Sequence, residues 1–132
     1  MLKKMVIKFT LIFLIFSTSC YGADWQSDNA KSSLQYAASF EESPVKGTFK
    51  EFSVAYAVNE KGKPARLEVK VSIASVDMDN SDINEVIRSA EWFNVDQYPQ
   101  AVFASDNFKT TISSGIKNNF IARGILQLKG LK

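Results

Sequence analysis

Histidine is missing from all 132 residues, and cysteine occurs once, at Cys20. The first absence removes the usual near-neutral general base, the Ser-His and Cys-His nucleophile pairs, and the commonest zinc and haem ligand. The second leaves the chain after residue 22 with no disulfide and no thiolate, so its stability must come from burial, and a transition-metal site would have to be built from carboxylates alone. A basic excess is missing too. The net charge of +2 belongs to the first segment; beyond residue 22 thirteen Lys and Arg stand against fourteen Asp and Glu. A nucleic-acid footprint needs a basic patch, so no such partner is expected. Long apolar runs are confined to Phe9–Phe16, and nothing after it is long enough to cross a bilayer as a helix. No acid–base or nucleophile constellation is visible. A carboxylate pair acting alone stays open in principle, yet no two acids share an aromatic cleft by spacing. The chain is therefore not expected to be an enzyme.

What is present begins with a leader. Lys3, Lys4 and Lys8 precede the apolar run, and the mostly small residues Ser17 to Ala23 follow it, the pattern of a secretory signal peptide. Cleavage after Gly22 places Cys20 at the third position before the cut; cleavage after Ala23 places the bulkier Tyr21 there. The expected division is a signal peptide at 1–22 and one domain at 23–132, beginning at Ala23 or Asp24 in a periplasmic or secreted compartment. The alternative is a lipoprotein acylated on Cys20, which calls for an apolar residue where Ser17 stands.

The domain alternates with period two. Leu34, Tyr36, Ala38 and Phe40 fall on one face of a strand, opposite Gln35, Ala37 and Ser39, with Trp25 as a plug beneath it. Glu41 to Pro44 ends that strand. Val45–Phe49 alternates again, with Gly47 marking a bulge or a tight bend. Phe52, Val54, Tyr56 and Val58 share a face, Asn59–Pro64 is a hairpin connection, and Leu67, Val69, Val71 and Ile73 share a face of the return strand at Ala65–Val76. Phe108, Thr110 and Ile112 alternate up to a turn at Ser113–Gly115. Phe120, Ala122, Gly124, Leu126 and Leu128 alternate in a last strand.

One helix interrupts the strands. Asp79, Asn80 and Ser81 are good N-caps, and Ile83, Val86, Ile87 and Ala90 recur at helical spacing for about three turns. Asp77, Asp79, Asp82 and Glu85 lack the glycine and closing glutamate of a calcium loop, so they read as capping charges. The stretch from Glu91 to Ser105 then packs Trp92, Phe93, Tyr98 and Phe103 around Pro99, which ends the helical segment and starts a strand. It reads either as a core plug or as the wall of an apolar pocket. A chain of antiparallel strands with one short helix is all-β, a barrel or a sandwich.

Four blocks in order resemble the YceI-like family of exported lipid-binding proteins. They are Val45-Lys46-Gly47-Thr48-Phe49-Lys50-Glu51-Phe52, Arg88-Ser89-Ala90-Glu91-Trp92-Phe93-Asn94, Tyr98-Pro99-Gln100-Ala101-Val102-Phe103-Ala104-Ser105, and Arg123-Gly124-Ile125-Leu126-Gln127-Leu128-Lys129-Gly130-Leu131-Lys132. The resemblance implies an antiparallel, lipocalin-like β-barrel holding a long isoprenoid lipid, typically a quinone or polyprenol, and no other cofactor. Many members carry an Arg-Asp pair and a His in the helix, where Ile83, Asn84 and Val86 stand here, so any head-group role of those residues does not transfer. The family continues beyond the last residue of this sequence. Six or seven strands are counted where a lumen needs about eight, so the last strands of the barrel are expected to be missing and the final strand's edge to invite association.

In a barrel the face of large residues points inward. Leu34, Tyr36, Phe40, Phe49 and Phe52 are accordingly assigned to the lumen, as are Val54, Tyr56, Val69, Val71 and Leu126. The aromatic junction and the strand after it add Trp92, Phe93, Tyr98, Phe103 and Phe108. The alternative is that the small opposite face of Ala37, Ser39, Ala55 and Ala57 lines a narrow tunnel. Expected partners are an apolar isoprenoid lipid, a second copy of the chain, and, by analogy with related proteins, a membrane b-type cytochrome to which quinone is delivered. A structural module whose lumen is filled by its own side chains is the remaining alternative.

Overall fold

A computed structural model of the chain describes residues 22–40, 43–113 and 116–132. The leader, Cys20, and residues 41–42 and 114–115 lie outside the described residues, as do the side chains of Phe40 and Ile112. The fold is antiparallel β with one short helix. Strands β1 (Asp24–Gln26), β4 (Phe52–Val58), β5 (Pro64–Ser72), β7 (Gln100–Ser113) and β8 (Ile116–Gln127) form one sheet in the order β1-β4-β5-β7-β8. A second sheet has the order β2-β3-β6, from Leu34–Phe40, Ser43–Phe49 and Val76–Asp77. The two sheets do not close into one barrel among the described residues. Among the described residues there are eight strands rather than the six or seven counted from the pattern, because short β1 and β6 carry no alternation of their own.

The chain changes sheets four times among the described residues, and two of these crossings, β3 to β4 and β5 to β6, meet at one corner. Between β3 and β4, the Lys50 N–H donates to the Ser75 carbonyl at 3.1 Å; the Ser72 N–H donates to the Glu51 carbonyl at 2.9 Å. Ser75 closes the joint with its side chain: its Oγ accepts from the Glu51 N–H at 2.9 Å and donates to the Ser72 carbonyl at 2.7 Å. The return strand read as Ala65–Val76 therefore breaks at Ser72, and Ile73–Ser75 is a single 3-10 turn that carries the chain into β6. Around this corner sit the buried apolar residues of the described chain, Phe52, Ile73, Val76 and Ala101.

Gly47 is not a bulge. The β2–β3 register runs through it without a shift, with Gly47 directly opposite Tyr36. The missing side chain is filled from across the ladder: a Cβ at Gly47 would stand 2.6 Å from Tyr36 Cε1 and against the Met78 sulfur. The bulge of the molecule lies instead in β7, which is one long strand through Ala101 and Phe108. Its register with β8 shifts between Ala104 and Asn107, and the buried Ser105 hydroxyl bridges the gap by donating to the Arg123 carbonyl at 2.7 Å.

The helix, α1, runs from Ser81 to Arg88, two turns rather than three. Asn80 is its cap, with Oδ1 accepting from the N–H groups of Asp82 and Ile83 at 3.0 and 3.1 Å. Its apolar stripe is not inserted into a core, since Ile83 and Val86 are 44% and 52% exposed. Polar bonds hold it instead. The Arg88 guanidinium donates to the carbonyls of Ala74 and Val76 at 2.9 and 3.0 Å, and Asn84 Oδ1 accepts from the Met78 N–H at 2.8 Å. Trp25, expected as a plug, is also exposed; it lies in β1 opposite Tyr56 at the sheet's edge.

Candidate functional site

Antiparallel partners point to the same side of a sheet, so the register assembles the large residues into rows. In the five-stranded sheet one row is Phe52, Val71 and Ala101. The next is Val54, Val69, Phe103 and Leu126, and the third is Trp25, Tyr56, Leu67 and Ser105. Phe108, opposite Ala122, continues this face beyond the β7 bulge. Twelve of the fifteen residues assigned to a pocket lie on strands of this sheet or the other one, and the other three, Trp92, Phe93 and Tyr98, lie in the link before β7.

Burial along this face is graded. The first row, at the corner, is buried at Phe52 and Ala101. The second row is half-buried at Val54, Val69 and Phe103, and Leu126 is 51% exposed. Thus the face is apolar and wide, and its outer rows are only partly covered by the described residues. The opposite face is polar around Arg66, Glu68 and Lys70 and carries exposed Ile121 and Ile125 on β8. Glu68 bridges Arg66 at 3.1 Å and Lys70 at 2.9 Å; Lys70 first, and then Arg66, hold its carboxyl below the usual range. Small Ala55, Ala57 and Ala104 lie on that outer side, with a concavity of about 270 Å³ at β1–β4 and one of about 640 Å³ around the β7 bulge. Arg66 lines both.

The three-stranded sheet adds a second apolar face. Leu34, Phe49 and Val76 form one row and Tyr36 lies opposite Gly47 in the next. Phe40 ends β2 opposite Ser43. The Tyr36 and Phe49 rings are 5.1 Å apart and tilted by 32°, and the Tyr36 hydroxyl donates to the Met78 sulfur. Burial pushes the Tyr36 phenol up. Met78 belongs to this cluster but has no pattern of its own, because it follows β6 in a connection.

The aromatic junction does not form one wall. Trp92 is half-exposed, Phe93 is half-buried, and Tyr98 packs its ring against Gly130, where a Cβ would meet Cε1 at 2.8 Å. Lys129 Nζ donates to the Ala90 carbonyl at 3.2 Å, tying the end of the chain to the segment after α1. Ser105 and Leu67 belong to the apolar rows although they were not assigned to the pocket. Leu67 was legible from its period, and Ser105 from its place two residues after Phe103.

Of the acids near the helix, Asp77 is engaged by the protein itself. Lys50 forms an ion pair with Asp77, whose Oδ1 also accepts from the Asp79 N–H at 3.0 Å and the Asn84 amide at 3.3 Å. Lys50 first, then these two donors, hold the Asp77 carboxyl at about 2. Asp77 anchors the corner to the start of the helix.

Against this geometry, a family model for the YceI-like domain matches residues 25–132. Protein YceI of Salmonella arizonae and of Salmonella paratyphi B are each 33% identical to the chain over 115 residues. That alignment covers 82% of this chain and 59% of each relative. The crystal structure of BcnA from Burkholderia cenocepacia superposes with a TM-score of 0.64 at 30% identity, covering 78% of this chain and 63% of that one. A YCEI protein of Campylobacter jejuni shares the fold, with a TM-score of 0.59 at 23% identity, over 81% of this chain and 61% of its own. The chain thus spans about three-fifths of the length of the relatives it matches. In sequence and in fold, this chain belongs to the YceI-like domain family.

Proposed function

We propose that residues 23–132, freed of a signal peptide at 1–22, act outside the cytoplasm as a non-catalytic carrier or store of a long isoprenoid lipid of the quinone or polyprenol type. The observation that carries this reading is the row Val54, Val69, Phe103 and Leu126. It crosses four strands in register, is wholly apolar, and contains no buried residue. An apolar face of this width stays in water unless something apolar covers it. A polyprenyl chain suits it, since each methylene moved out of water gains about 0.8 kcal/mol and no strong polar contact is needed. The family resemblance names the ligand class, and the graded burial gives it a direction: closed at the Phe52–Ala101 corner and open towards Leu126.

The test is organic extraction of the protein purified from the exported fraction, with mass spectrometry of the extract. A bound isoprenoid is expected. Phe103→Asp should lose it while Phe103→Leu, which keeps the wall apolar, retains it. A protein that carries no lipid and takes up no added polyprenol, or in which Phe103→Asp retains as much lipid as Phe103→Leu, overturns the reading.

A further inference from the structure

Beyond residue 22 the chain holds one sulfur atom, that of Met78; Met1, Met5 and Cys20 all precede it. The proposed lipid site makes no use of it. Met78 stands in the connection between β6 and α1, and its backbone is held in place. Its N–H donates to Asn84 Oδ1 at 2.8 Å, and the next N–H, that of Asp79, donates to Asp77 Oδ1 at 3.0 Å. The side chain then reaches over the second sheet into the space that a side chain at Gly47 would fill. There the half-buried Met78 accepts from the Tyr36 hydroxyl through its sulfur. Burial pushes the Tyr36 phenol up, so it stays protonated and able to donate.

A thioether sulfur has two lone pairs, one on each side of the C–S–C plane. In a free methionine an oxidant reaches both about equally; at Met78 one of them is taken by Tyr36. We propose that Met78 is a modification site, oxidised by hydroperoxides at the lone pair that Tyr36 leaves free and so converted into a single epimer of methionine sulfoxide. In that step the free lone pair attacks the outer oxygen of the peroxide, and the S–O bond forms as the O–O bond breaks. Sulfur gives up two electrons and the peroxide takes them. The proton on the transferred oxygen passes to the departing one, which leaves as water or an alcohol. Hydrogen peroxide is scarcely larger than water, so a half-buried sulfur is within its reach. Attack at the other lone pair first gives up a hydrogen bond, which corresponds to about tenfold in rate. The new oxygen is a stronger acceptor than the sulfur and lies on its far side. It therefore draws the Tyr36 hydroxyl out of place and the ring away from Phe49, loosening the contact between β2–β3 and the start of α1. Reversal takes two electrons from the thiols of an epimer-specific reductase, and the oxygen leaves as water.

The test treats the whole protein with dilute hydrogen peroxide, digests it with trypsin and follows the peptide Val71–Arg88, whose only sulfur is that of Met78, by mass spectrometry. One added oxygen is expected, with one epimer in about tenfold excess. Of the two reductases specific for opposite epimers, one should then restore nearly all of the peptide and the other very little. The same peptide oxidised after digestion gives the baseline, with both epimers in similar amounts. Tyr36→Phe keeps the ring and drops the hydroxyl, so it should move the folded protein to that baseline. Peroxide should also lower the urea midpoint of the whole protein and leave that of Met78→Leu unmoved. A Met78 that stays unoxidised in the folded protein, or forms both epimers equally there, overturns the proposal. So does an excess that Tyr36→Phe leaves unchanged, or an equal fall in midpoint for Met78→Leu.

Discussion

The corner where the two sheets meet and the far side of the large sheet at β8 are built from the same kinds of residues to opposite ends. At the corner Phe52, Ile73, Val76 and Ala101 are buried, and the backbone groups of Glu51 and Ser72 are met by Ser75. At β8, Phe120, Ile121, Ile125 and Leu126 are all exposed, on a strand that pairs only with β7 among the described residues. Both are apolar; only one is closed. The difference shows that alternation alone does not make a core. A core forms where the chain turns and brings a second layer over the apolar face, which here happens at the β3–β4 and β5–β6 crossings.

The contrast breaks first at its strongest point. Ile73 is 2% exposed and carries the 3-10 turn that redirects the chain, so Ile73→Ala should cost about 2–5 kcal/mol through lost burial and a residual cavity. Leu126, 51% exposed, should cost less than about 1 kcal/mol when changed to Ala. Urea unfolding of the two variants measures both, with unchanged slopes required for the comparison. Equal costs would mean that the β8 end is as closed as the corner.

The same comparison explains what could be read from the residues. The boundaries of β2 at Phe40 and β4 at Phe52–Val58 coincide with the alternation, because each of these strands has one large-residue face and one small or polar face. The break at Ser72 was hidden: Leu67, Val69, Val71 and Ile73 keep period two straight through it, and the turn is held by the Ser75 hydroxyl, which bonds the Ser72 carbonyl and the backbone of Glu51, 24 positions away. The stripe Ile83, Val86 and Ile87 gave the helix but not its exposure, since periodicity says which side is apolar and not whether anything covers it. For the candidate site, the size of side chains indicated the face. The rows across β4, β5, β7 and β8 were beyond reach, because they depend on pairings between distant segments and on a bulge at Asp106 that no local residue announces.

A smaller effect sharpens the comparison within the second sheet. Gly47 lies under the Tyr36 ring, and its φ is not in the left-handed region, so Gly47→Ala is resisted by crowding alone. Displacing the ring disturbs its stacking on Phe49 and its bond to Met78, and a cost of about 1–3 kcal/mol is expected. Gly124, on the partly open strand, is no control, because there a Cβ would run into the Ala104 carbonyl. The useful second variant is Tyr36→Ala. If the ring is the obstacle, adding Gly47→Ala to it should cost markedly less than Gly47→Ala costs alone. An unchanged cost would place the strain elsewhere than in the pair.

The gentlest probe of the corner is acid. Lys50, the Asp79 N–H and the Asn84 amide together hold Asp77 at about 2, below its ordinary 3.8. A carboxyl depressed by folding binds its proton less readily in the folded chain than in the unfolded one. Its contribution to stability is therefore complete above the unfolded value and is lost as pH falls, here from about pH 4 to about pH 2. Asp77→Asn should lower stability at neutral pH and flatten the dependence across that window. Glu68 is depressed in the same direction by Lys70 and Arg66, but on the outer face, where both partners are largely exposed and salt screens them. Glu68→Gln should then flatten the acid limb less, and added salt should erase more of its share than of Asp77's. An acid limb that Asp77→Asn leaves unchanged would assign the corner's closure to its apolar residues and the Ser75 bonds alone, with the Lys50 pair a bystander.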